Sequence, residues 1–128
     1  MTYLDFDKLA AMDGKAFRNT DPYPWTNPAA LLTEAGYAAL LDSMPTTDQM
    51  TPQFGQARSH GQKPHDRYSL EYRPGIDISP AWQGFIDELQ SDEYHAFIKK
   101  MFGRGLFKLN FHWHYAPTGA SVSPHCDA

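Results

Sequence analysis

The chain has 128 residues, 41% of them apolar and 14% aromatic, which is enough for one globular core and too little for two. Eleven Lys plus Arg stand against fifteen Asp plus Glu, a formal net charge of −4 with the basic residues scattered, and this argues against a phosphate-binding surface and hence a nucleic-acid partner. No stretch approaches the roughly 20 apolar residues that cross a bilayer, and the opening MTYLDFDKLA carries Asp5 and Asp7 where a secretory leader has basic residues; with a single cysteine, Cys126, a cytoplasmic location is expected.

Taken in chain order, residues 1–27 include DPYPWTNP-type punctuation whose prolines forbid a long helix, so an extended, turn-rich segment is expected there. Thr33 then suits a helix N-cap, and Tyr37, Leu40, Leu41 and Met44 follow the i, i+3, i+4, i+7 spacing of a buried stripe until Pro45. Residues 45–64 read as a long loop with few apolar anchors. From His65 the period changes to two: Tyr68, Leu70 and Tyr72 alternate with Arg67, Ser69, Glu71 and Arg73, predicting a half-buried strand that Pro74-Gly75 ends. Ser79 and Pro80 open a helix with Trp82, Phe85, Ile86 and Leu89 on one face. Ser91 opens another, with Asp92 and Glu93 at its positive end and Lys99 and Lys100 at its negative end. Its inward residues are Tyr94, Phe97, Ile98, Met101 and Phe102, and Gly103 stops it. Leu106 to Tyr115 is the strongest strand pattern, with Phe107, Leu109, Phe111, Trp113 and Tyr115 on the face expected to be buried. Pro117, Thr118 and Gly119 turn the chain, and Val122 to Ala128 begins another extended segment. Helices followed by strands predict an α+β domain.

The residues with most chemical content are His125-Cys126-Asp127. On a strand, His125 and Asp127 point to one face while Cys126 points away, and an imidazole beside a carboxylate is two thirds of the two-His-one-carboxylate triad that holds Fe(II) with open positions. Taken alone, His-x-Asp in a chain with six histidines is more simply a surface turn. The context is an aromatic strand, a Tyr-x-Pro-x-Gly turn and a Ser-Pro leading into His-x-Asp. In that context FKLNFHWHYAPTGASVSPHCDA resembles the 2-oxoglutarate- and iron(II)-dependent oxygenases, in particular their prolyl 4-hydroxylase-like branch. The specific part of the resemblance covers residues 107–128, while the preceding helices and the HDRYSLEY strand look like the layer that buttresses such cores.

The resemblance implies an N-terminal helical layer leading into an incomplete double-stranded β-helix, or jelly-roll, core, with residues 1–128 forming the N-terminal portion of the oxygenase domain and the C-terminal portion missing. It implies an oxidoreductase that hydroxylates a small molecule or peptide while 2-oxoglutarate is decarboxylated to succinate. His125 and Asp127 are then metal ligands, Tyr115 contacts the co-substrate, and Fe(II), 2-oxoglutarate and accessory ascorbate are the required small molecules. The family takes its third ligand from a later histidine and pairs the distal carboxylate of 2-oxoglutarate with a basic residue beyond it. Neither occurs here after Asp127, so these 128 residues alone are expected not to turn over and to associate through exposed strand edges.

Three other readings compete for these residues. Tyr115 is equally a core aromatic with a satisfied hydroxyl. His112-x-His114 places two imidazoles on one strand face, as zinc sites do, although a polar outer face is the simpler account. His60, His65 and His95 read as solvated or capping residues, and Arg67 and Arg73 as partners of Glu71 on an outer face. The alternative to an oxygenase is a non-enzymatic α+β interaction domain in which His-x-Asp is incidental.

Overall fold

Side-chain caps set where the helices begin. In the computed structural model, which describes residues 1–122, an Asp, Thr or Ser oxygen accepts a backbone N–H at the start of each of five α-helices. Asp5 caps α1 (Phe6–Ala11), Asp13 caps α2 (Gly14–Arg18), Thr33 caps α3 (Glu34–Asp42), Ser79 caps α4 (Pro80–Leu89) and Ser91 caps α5 (Asp92–Phe102). The described residues form two units, Met1–Met44 with Ile78–Leu109, and Pro45–Asp77 with 110–122.

The first unit holds all five helices. Its core is Tyr3, Leu4, Leu9, Leu40, Ile86 and Met101. Ile86 is the most enclosed, at 2% exposure, and its full burial contributes about 2–3 kcal/mol. The N-terminal segment is stitched in by backbone pairing, with Leu4 bridged antiparallel to Leu32 and the Thr33 amide donating to the Tyr3 carbonyl at 2.8 Å. Helix C-termini are closed by cations from elsewhere in the unit: Arg18 Nη1 donates to the Lys100 carbonyl at 2.7 Å, and Lys100 Nζ donates to the carbonyls of Leu9 and Ala10 at 2.9 and 3.1 Å. Gly103 ends α5 with φ of 71°, the left-handed conformation expected of a stop glycine.

Several expectations need correction here. Residues 1–27 are not simply extended, because Asp5 and Asp13 nucleate two short helices ahead of the proline-rich stretch. The stripe on α3 is also misplaced. Tyr37, Leu41 and Met44 are exposed, and the buried face runs through Gly36 and Leu40. The cause is close approach: a Cβ on Gly36 would lie 2.7 Å from Tyr3 Cα, so only glycine lets the N-terminal segment pass over that turn. Phe102 on α5 is 54% exposed rather than inward, although its ring meets Phe17 edge-on at 5.2 Å.

The second unit carries a three-stranded antiparallel sheet in the order β1 (Thr51–Gln53), β2 (Arg67–Glu71), β3 (His112–Tyr115). With the helices of the first unit, it makes the chain a mixed helix and sheet protein, in agreement with the α+β expectation. β2 forms within the predicted strand. β1 lies inside the stretch read as a loop; Pro52 hides it in sequence but is accommodated because β1 is an edge strand and one missing donor is tolerated there. The predicted strand from Leu106 to Tyr115 shrinks to its last four residues. Residues 106–109 belong to the first unit, where Phe107 stacks on His95 at 4.3 Å, so alternation in that segment records partial burial without strand pairing. Leu106 is 97% exposed.

Candidate functional site

The register of the sheet sorts its side chains onto two faces. Tyr68 pairs with Tyr115 and Leu70 with Trp113 on one; Ser69 pairs with His114 and Glu71 with His112 on the other. Around Tyr68 an aromatic row links β2 and β3 to the residue that follows β1: the Tyr68 ring lies 5.2 Å from Phe54 and 6.1 Å from Tyr115, both edge-on. Trp113, two residues before Tyr115 on the same face, is buried.

Tyr115, the expected co-substrate contact, ends β3 immediately before the turn in which the Ala120 amide donates to the Pro117 carbonyl at 3.0 Å and Gly119 adopts φ of 87°. Its predicted burial is not met, since the side chain is 52% exposed. Both residues pair with β2, but Trp113 lies inside β3 and is covered, whereas Tyr115 is the last residue of the strand and is half-exposed. Sequence reading missed Tyr68 and Phe54 as its neighbours. The shared parity of Tyr68 with Leu70 was available as a signal, but the pairing register that sets it opposite Tyr115 was not.

His125, Cys126 and Asp127 lie outside the described residues, as does nearly all of the extended segment expected from Val122. Among the described residues no group of three or more His, Cys, Asp or Glu side chains is placed to hold a metal ion.

The other face carries His112 and His114, both exposed, with ring centroids 4.9 Å apart and planes at 67°. They stand opposite Tyr115, as alternation predicts. Partial burial, then the Arg67 guanidinium, then His112 push the His114 imidazole below its ordinary pKa. Arg67 Nε donates to Gln53 Oε1 at 3.0 Å, and Arg73 pairs with Glu71 at 3.3 Å, so only the second arginine makes the expected ion pair.

Of the remaining histidines, His60 meets the expectation and His65 departs from it. His65 is buried at 8% exposure and is engaged, not solvated. His95 Nε2 lies 3.1 Å from the Gly105 carbonyl and its ring stacks on Phe107, which ties α5 to the segment after it. His60 is exposed in the loop.

No helix among the described residues is long and apolar enough to cross a membrane. In comparisons with known proteins, the chain matches no family profile, no curated protein and no solved structure.

Proposed function

We propose that this chain contributes to an iron(II)- and 2-oxoglutarate-dependent oxygenase, with His125 and Asp127 as two ligands of the metal and Tyr115 as a contact to the co-substrate. The observation that carries the reading is the run from Trp113 to Asp127: aromatic strand, Tyr-x-Pro-x-Gly turn, Ser-Pro, His-x-Asp. What supports it is that Tyr115 closes a strand, keeps its phenol accessible and is followed directly by a tight turn.

The donor set suits the metal. One neutral imidazole and one carboxylate are borderline and hard ligands of the kind that would hold Fe(II). When bound, the metal supplies oxygen activation. The chain's residues have more modest tasks. His125 and Asp127 hold and orient the ion, and the Tyr115 hydroxyl donates a hydrogen bond to a carboxylate of 2-oxoglutarate. The aromatic row of Phe54, Tyr68 and Tyr115 gives that side of the sheet an apolar surface beside the Tyr115 ring. The motif does not identify the third ligand or the basic anchor of 2-oxoglutarate, and the outer edge of β3, which no described strand covers, is where further strands of a double-stranded β-helix would pair.

The test is a metal titration with Co(II) as a stand-in for Fe(II), followed by 2-oxoglutarate-dependent succinate formation with Fe(II) and ascorbate in the full natural chain. His125→Ala and Asp127→Ala should each abolish tight binding and turnover, whereas Cys126→Ser should leave both intact. Cobalt affinity and succinate formation that survive His125→Ala would refute the assignment and favour an interaction domain with an incidental His-x-Asp.

A further inference from the structure

The exposed face of β3 offers a second donor set that the oxygenase reading does not use. We propose that His112 and His114 form a two-imidazole site for a late first-row divalent cation, of the class of Cu(II), Ni(II) or Zn(II), on the sheet face opposite Tyr115.

Strand geometry brings the two side chains to the same side, and β2 pairing fixes them there: His112 lies across from Glu71 and His114 across from Ser69. Their separation fits one ion. With metal–nitrogen bonds of about 2.0–2.1 Å and roughly 1.2 Å from nitrogen to ring centre, two imidazoles subtending about 90–110° at a metal have centroids about 4.5–5.2 Å apart. The observed 4.9 Å falls within that span. The rings now meet edge to face at 67°, so capture needs rotation about χ2, a broad torsion that is cheap for exposed side chains.

The electrostatics of the face are mixed. The Arg67 guanidinium opposes a cation but is directed at Gln53 Oε1. Glu71 adds a carboxylate opposite His112, although Arg73 holds it at 3.3 Å, so the remaining coordination positions fall to water. A metal binds the unprotonated nitrogen of a neutral imidazole, so capture is expected to weaken as the solution is acidified. A cation in this place lies on the opposite side of the sheet from Tyr115, so it does not substitute for the iron site.

The experiment titrates Cu(II) at neutral pH into a Cys126→Ser, His125→Ala background, which removes the thiol and one proposed iron ligand. Electron paramagnetic resonance counts the coordinated nitrogens. One ion bound through two nitrogens is expected, with affinity falling roughly tenfold or more when either His112→Ala or His114→Ala removes the chelate, and unchanged in His60→Ala. Loss of the signal in the background itself, or equal affinity in the His112 and His114 variants, would overturn the proposal. A check without substitution follows the histidine ring resonances of the unaltered chain under substoichiometric Cu(II): preferential broadening of His112 and His114 supports the site, and broadening confined to other histidines refutes it.

Discussion

Glu88 is the side chain on which the attachment of the N-terminal segment turns. Its carboxylate, projecting from α4, accepts three contacts from two backbone amides: Tyr3 N to Oε1 and Oε2 at 3.1 and 2.9 Å, and Leu4 N to Oε1 at 2.7 Å. Tyr3 and Leu4 are 7% and 5% exposed, so water does not readily replace the lost acceptor. Nor can the segment peel away freely. The Leu4–Leu32 bridge, the Asp5 amide to the Leu31 carbonyl at 2.8 Å and the Thr33 amide to the Tyr3 carbonyl all hold it down. Glu88→Ala therefore strands two buried donors, each costing about 1–3 kcal/mol, for a total of roughly 3 kcal/mol. Glu88→Gln retains one acceptor but points an N–H₂ group toward one of the amides, and it should cost roughly half as much. Urea denaturation at unchanged m-value reads the loss as a shift of midpoint, and amide exchange localises it to Tyr3 and Leu4. A Glu88→Ala variant within about 0.5 kcal/mol of the parent, with both amides still protected, would refute the reasoning.

Three further outcomes follow from the packing and charges. Ile86→Ala removes the most enclosed core side chain and should lower stability by about 2–5 kcal/mol in the same urea assay, and a loss below about 1 kcal/mol would contradict its place in the core. Gly14→Ala places a methyl against the Lys100 carbonyl, a backbone atom that cannot swing aside; it should cost about 1–3 kcal/mol and loosen α2 from α5, seen as lost exchange protection in α2. The third concerns pH. Because the folded state lowers the pKa of His114, its stabilising contribution is present above the ordinary histidine value of 6.5 and is lost as pH falls through the folded value. His114→Gln should therefore flatten the fall in stability between about pH 7 and 5, and identical slopes in thermal melts of the two proteins would contradict the assignment.

Some of the architecture is legible residue by residue. Ser79-Pro80 and Ser91-Asp92-Glu93 announce helix starts because a hydroxyl or carboxylate satisfies amides that have no partner inside the helix, and Gly103 announces a stop because it enters the left-handed region without penalty. The alternation around Tyr68 likewise identifies β2, since half-burial of a strand imposes a period of two. The errors share a different origin. Tyr37, Leu41 and Met44 satisfy the spacing of a buried face, yet Gly36 draws the N-terminal segment onto another side of α3. Pro52 reads as loop until β2 is seen to pair with it, and Phe107 reads as strand until His95 is seen to stack on it.

The candidate site divides in the same way. His125-x-Asp127, Tyr115 and His112-x-His114 are visible as chemistry in the sequence, because metal ligation and strand parity depend on residue type and short spacing. The sequence by itself therefore determined caps, stops, strand parity and the identity of the donor groups. Only the tertiary structure decided the rest: that Trp113 is covered while Tyr115 stays open, that Tyr68 and Phe54 adjoin Tyr115, and that His112 and His114 stand 4.9 Å apart on the opposite face. Local rules act through a few neighbouring backbone groups, whereas burial and cross-strand register depend on residues tens of positions away, which no short stretch of sequence specifies.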